Sequence, residues 1–64
     1  MKMVITQTIN GKVQTFRYGE NERAKAMDHW DKMVEVAIPG ATVKLINGDN
    51  DRVVSQYTNN RIQP

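Results

Sequence analysis

Sixty-four residues with a formal net charge of +2 and no cysteine specify one domain at most, with a core that neither disulfides nor thiolate-bound metal can supplement. No apolar run approaches the roughly 20 residues of a membrane-spanning helix, and the absence of cysteine fits a reducing compartment. Residue 2 is lysine and the last two are Gln63-Pro64, so neither lipidation signal is present, and a soluble, cytoplasmic protein is expected.

Asn10-Gly11 lies between two alternating runs. Asn-Gly in that setting is the strongest short-range hairpin signal, because both residues of a two-residue loop need positive φ. Such a loop pairs Ile9 with Lys12, Thr8 with Val13, Gln7 with Gln14, Thr6 with Thr15, Ile5 with Phe16, Val4 with Arg17 and Met3 with Tyr18. Period two sorts these into an apolar face of Met3, Ile5, Ile9, Phe16 and Tyr18 around a Gln7/Gln14 pair, and a threonine-rich face of Val4, Thr6, Thr8, Val13, Thr15 and Arg17.

Gly19 ends the second strand, and Asn21 is the expected N-cap of a helix over 22–37. Glu20 and Glu22 suit the positive end of its dipole. Ala26, Met27, Trp30, Met33, Val34 and Ala37 form its apolar stripe. Asp28 and Lys32 make an acid-before-base pair one turn apart. Ile38-Pro39-Gly40 ends the helix, since the residue before proline avoids the α region.

A second hairpin is expected around Asn47-Gly48-Asp49-Asn50-Asp51. An odd loop over those residues pairs Leu45 with Val53, Val43 with Ser55 and Ala41 with Tyr57. Ala41, Val43, Leu45, Val53 and Tyr57 then face the helix, and Thr42, Lys44, Ile46, Arg52, Val54 and Gln56 face away. The expected fold is α+β: a ββαββ unit over 1–58 with a four-stranded, mainly antiparallel sheet, one helix on one face, and a flexible tail over 59–64. Strand order 2-1-3-4 and a sheet with strands two and three parallel both suit this connectivity. The expected core is Ile5, Phe16, Met27, Trp30, Met33, Val43 and Leu45.

Charge is unevenly distributed. Between Glu20 and Glu35 five acids (Glu20, Glu22, Asp28, Asp31, Glu35) meet three bases (Arg23, Lys25, Lys32), whereas elsewhere six bases (Lys2, Lys12, Arg17, Lys44, Arg52, Arg61) meet Asp49 and Asp51. The helix is acidic and the hairpins are basic.

Catalytic chemistry finds little to use. A nucleophile needs a base and an orienting group, and the chain offers one serine, Ser55, and one histidine, His29. His29 is expected on the polar side of the helix and Ser55 on a strand. The carboxylate pairs Asp28/Asp31 and Asp31/Glu35 fall on an exposed helix side, whereas acid–base work wants an environment that drives two pKa values apart. His29 with Asp28 or Asp31 lacks a third metal ligand. The 47–51 segment lacks the ligand order and closing glutamate of a calcium loop and reads as a turn. No phosphate-binding glycine motif is present. No catalytic residue, metal, cofactor or small-molecule substrate is expected.

Two binding readings remain. Arg17, Lys44 and Arg52, with Lys12 and Lys2 at the edges and threonines between, suit phosphate contacts, although no aromatic residue interleaves with them as a single-strand platform requires. The same face carries Val4, Val13, Ile46 and Val54, which suits a protein interface or self-association, and an edge strand offers strand addition. The expected partner-binding residues are Val13, Thr15, Arg17, Lys44, Ile46, Arg52 and Val54.

In size and ββαββ pattern, with MKMVITQTINGKVQTFRYG as its opening hairpin, the chain resembles the small proteins that bacteriophages encode to bind and redirect host enzymes or defence systems. The resemblance implies a stoichiometric inhibitor or modulator of a host protein. The favoured expectation is a non-enzymatic protein-interaction module. The alternative is a small nucleic-acid-binding or transcription-modulating domain using Arg17, Lys44, Arg52 and Lys12.

Overall fold

Four strands and one helix follow the chain in a computed structural model, which describes residues 2–60. β1 is Met3–Ile9 and β2 is Lys12–Tyr18. A 3-10 turn at Glu20–Glu22 leads into α1, Arg23–Glu35, and β3 (Thr42–Asn47) and β4 (Arg52–Thr58) complete the fold. The strands form one antiparallel sheet in the order β2-β1-β3-β4. That order settles the choice the connectivity left open: the first strand of each hairpin is central, and the two meet antiparallel.

The first hairpin has the expected register at every pair, from Met3 opposite Tyr18 to Ile9 opposite Lys12. Asn10 and Gly11 both take positive φ, 52° and 79°, as the two-residue turn demands. Ile5 then stands between Phe16 and Leu45, and Met3 between Tyr18 and Asn47. Met3, Ile5, Val43 and Leu45 are almost wholly buried, and Ala26 and Met33 join them from the helix.

The helix begins differently from the expectation. Asn21 is not the cap: Glu22 occupies the N-cap of α1, and Gly19 caps the 3-10 turn before it, its N–H donating to Oε1 of Glu22 at 3.0 Å while the Glu22 N–H donates to the Gly19 carbonyl at 3.1 Å. Glu22 thus reaches back to an otherwise orphaned donor, half of a capping box. The buried face is also rotated from the expected one. Residues 26, 29, 30 and 33 face the sheet, whereas Met27, expected in the core, is 39% exposed. Alanine at 26 allows α1 a close approach, Trp30 packs half-buried at the margin, and the position beside it belongs to His29. The helix packs against β1, β3 and β2.

The second hairpin departs from its expected register. Asn47 pairs with Arg52, so the loop is the four residues 48–51, and Ile46 pairs with Val53. A bulge then intervenes, with Leu45 opposite Ser55 and Val43 opposite Tyr57. The even loop moves Val53, expected on the helix side, to the outer face beside Ile46. The extra residue, Val54, restores the expected face for Ser55 and Tyr57. An inserted residue in one strand has this effect because side chains alternate with period two.

The expected tail does not begin at 59. Asn59 is buried: its Nδ2 donates to the Ala37 carbonyl at 2.8 Å, its N–H to Ala41 O at 3.0 Å, and its carbonyl accepts from the Gly40 N–H at 2.8 Å. Gly40, at φ 88°, makes the reversal this clasp requires. Residues 61–64 of the expected tail lie outside the described residues.

Candidate functional site

With α1 on one side, the other side of the sheet is left to side chains from all four strands. The register arranges them in three rows: Arg17–Val4–Ile46–Val53, Thr15–Thr6–Lys44–Gln56 and Val13–Thr8–Thr42–Thr58. Val13 is 60% exposed, Val53 50% and Val54 53%, with Ile46 and Val4 half-buried between the edges. The face therefore has a branched apolar row at one end, a threonine row at the other, and Lys44 between threonines in the middle. The Thr42 and Thr58 hydroxyls lie 3.2 Å apart, each partly satisfying the other.

Of the expected binding residues, Val13, Thr15, Arg17, Lys44 and Ile46 fall on this face together. Val54 is the bulge residue of β4, adjoining Val53 at the rim. Arg52 does not join them. It stands opposite Asn47, whose neighbour on β1 is the buried Met3, because the four-residue loop reverses the facing of the first residue of β4. Val53, which sequence reasoning assigned to the helix side, takes the place expected of Arg52. Lys12 also belongs to the helix side: with Gln7, Ile9, Asn10 and Gln14 it lines a recess of 340 Å³ at the tip of the first hairpin. The basic residues of the nucleic-acid reading are thus divided, with Arg17 and Lys44 on the outer face and Lys12 and Arg52 off it.

Compared with protein-family profiles, with curated proteins and with solved structures, the chain matches none.

His29 stands differently from the expectation of a solvated helix residue. Its ring is edge-on to Phe16, with centroids 4.8 Å apart at 81°, and to Tyr18, at 5.9 Å and 70°. Its Nδ1 lies 2.6 Å from the Tyr18 hydroxyl. The imidazole fills a helix–sheet position that an apolar residue would otherwise take, with its one polar contact met by the phenol. An apolar-only helical stripe misses such a residue; its place three residues after Ala26 and four before Met33 is the signal that finds it. Ser55 is on β4, at the far edge of the sheet from β2 and His29, so the chain's serine and histidine do not meet.

Side chains of the oxygen-rich loop are occupied with main-chain N–H groups. Asn47 Oδ1 accepts from the Asp49 N–H at 2.9 Å, Asn50 Oδ1 from the Arg52 N–H at 3.0 Å, and Asp49 Oδ2 from the Lys2 N–H at 3.4 Å. The first two are the local bonds by which Asn builds turns, the third ties the loop to the residue before β1, and Asp51 closes the loop at φ 58°. No helix among the described residues is long and apolar enough to cross a membrane.

Proposed function

We propose that this chain is a non-enzymatic protein-interaction module that binds its partner through the outer face of the sheet. The observation that carries the reading is the composition of that face: Val53 and Val54, each at least half exposed, adjoin Ile46 and Val4 in one row, with Arg17 at one rim and Lys44 in the next row, while Val13 stands exposed at the opposite corner. Interfaces favour an apolar patch that loses its water on binding and charges where water remains. The contiguous branched apolar row of Val4, Ile46 and Val53, extended by Val54, is more than isolated surface valines require on so small a domain. By its resemblance to small phage proteins, the module acts stoichiometrically in the cytoplasm, as an inhibitor or modulator of a host protein.

The competing reading, nucleic-acid binding, draws on Arg17 and Lys44 standing on the same face among Thr6, Thr15 and Gln56. Salt and substitution separate the two. Affinity purification from a host extract, with mass spectrometry of the retained material, is carried out with the parent, Val13→Asp, Ile46→Asp and the double variant Arg17→Glu/Lys44→Glu, each checked for fold by circular dichroism. A protein retained by the parent and by Arg17→Glu/Lys44→Glu, and lost with folded Ile46→Asp, supports the module, and Val13→Asp tells whether the contact reaches the far corner of the face. Retained nucleic acid whose affinity falls steeply with salt, and which the charge reversals abolish, rejects it.

A further inference from the structure

β2 and β4 are the two edges of the sheet, and they present different chemistry to solvent. In an antiparallel ladder, hydrogen-bonded and non-bonded pairs alternate. Asp51 N–H donates to Asn47 O at 2.8 Å at one end of the β3–β4 pair, and Asn59 N–H donates to Ala41 O at 3.0 Å at the other. By that alternation Ser55 and Tyr57 bond inward to Leu45 and Val43, whereas Gln56 and Thr58 turn their N–H and C=O groups away from the sheet. The 3.2 Å approach of the Thr42 and Thr58 hydroxyls agrees, since side chains come closest in non-bonded pairs.

An unpaired edge invites another strand unless charge or distortion blunts it. β2 is blunted: it carries Lys12 and Arg17 within seven residues. β4 carries no charge from Val53 to Thr58, and its bulge lies before Ser55, leaving the following residues in regular register. Five of its seven residues, Arg52 to Gln56, are exposed, and α1 packs against the other three strands.

We propose that β4 pairs antiparallel with β4 of a second copy of this chain, about a two-fold axis through Tyr57, merging two four-stranded sheets into one of eight. The occupant is a second copy because the edge is complementary to itself. With the axis at Tyr57, Gln56 faces Thr58 of the partner subunit and Thr58 faces Gln56 of the partner subunit. All the outward main-chain groups of both residues are then used, in four hydrogen bonds. No charge falls opposite a like charge. Tyr57 meets Tyr57 of the partner subunit across a non-bonded pair, the closest spacing in the ladder and one that favours aromatic partners. An axis at Gln56 would leave Thr58 against the bulge residue Val54. The contact is isologous and closed. The axis is perpendicular to the sheet, so both helices lie on one side and the outer face continues across both copies. This assembly is independent of the proposed partner binding, whose surface it leaves open.

Sedimentation velocity across a range of protein concentrations tests the dimer with the full chain. The parent is expected to shift from monomer to dimer as concentration rises. Gln56→Lys/Thr58→Lys places two like-charged pairs across the axis and should weaken the dimer about tenfold or more. Gln56→Lys/Thr58→Glu places two opposite-charged pairs there and should restore it. Thr15→Lys on β2 should leave dimerisation unchanged, and far-ultraviolet circular dichroism verifies that each variant is folded. A parent that is monomeric throughout overturns the proposal. So does a folded Gln56→Lys/Thr58→Lys that dimerises like the parent, a Gln56→Lys/Thr58→Glu that stays monomeric, or a dimer that Thr15→Lys dissolves. None of these results bears on partner capture by the outer face, so the two readings fail separately.

Discussion

The two hairpins of this protein have nearly the same length and opposite degrees of self-specification. In β1–β2 a two-residue loop, with φ of 52° at Asn10 and 79° at Gly11, leaves one register available, and all seven pairs follow from it. In β3–β4 the four residues of 48–51 are held by side-chain bonds from Asn47 and Asn50, and the ladder slips once before it settles. The hairpins also grip the helix differently. The first holds α1 by rings, Phe16 and Tyr18 against His29; the second holds the helix exit by the side-chain amide of Asn59, which donates to the Ala37 carbonyl. A tight turn specifies pairing locally, whereas a longer one leaves pairing to whatever the rest of the molecule rewards.

The two contribute equally at the centre of the sheet, where Ile5 and Leu45 face each other at 0% and 1% exposure. Ile5→Ala and Leu45→Ala should therefore each cost about 2–5 kcal/mol, a large part of the stability of any small domain, measured by urea denaturation. A Leu45→Ala cost far below that of Ile5→Ala would break the equivalence and make the second hairpin peripheral. Next in size is the clasp. Asn59→Ala removes the donor to Ala37 O and should cost about 1–3 kcal/mol, seen as a fall in melting temperature. An unchanged melt would mean that the second hairpin holds the helix by strand pairing alone.

The corresponding grip of the first hairpin is tested by His29→Ala. It loses two edge-on ring contacts and the bond to the Tyr18 hydroxyl, an expected cost of about 1–2 kcal/mol. A solvated residue would give no change, and the same melt decides. The smallest effect expected is from deleting Val54. Ile46–Val53 and Leu45–Ser55 would then be consecutive pairs, so the ladder becomes regular and stability should stay within about 1 kcal/mol. Amide chemical shifts confined to the neighbourhood of the deletion would confirm that the core has kept its packing. Widespread shifts would show that the bulge itself positions Ser55 and Tyr57.

What was legible in the chain follows the same division. The first hairpin, the helix and the fold class were readable because each rests on neighbours in sequence: Asn10-Gly11 sets a turn, Phe16 and Tyr18 share a parity, and Ala26, Trp30 and Met33 share a helical face. The bulge was not readable. Arg52-Val53-Val54-Ser55 offers two apolar residues in succession, so either parity accounts for it, and no glycine marks the insertion. Asn59 was read as tail because its partners, Ala37, Gly40 and Ala41, come near it only once β4 has paired and Gly40 has turned. His29 was read as solvent-facing because the position that receives it is created by aromatic residues of another element. For the candidate surface, Val13, Thr15, Arg17, Lys44 and Ile46 were placed together by alternation alone. Arg52 and Val53 exchanged places because loop parity, rather than side-chain character, decides the facing at a strand's first residues.

The adjacency of β1 and β3 has a kinetic consequence. Each hairpin closes within its own short stretch of chain, an event of about 1–10 μs. The main-chain bonds that join the halves are those of the seam pairing Met3–Thr8 with Thr42–Asn47, extended by the Gly48 N–H on the Lys2 carbonyl at 2.8 Å. Zipping that seam requires the intervening segment, helix included, to be closed into a loop before any seam bond forms. Folding speed should therefore be governed at residues such as Thr6 and Lys44, which face each other there, while substitutions along β4 act chiefly on the rate of unfolding.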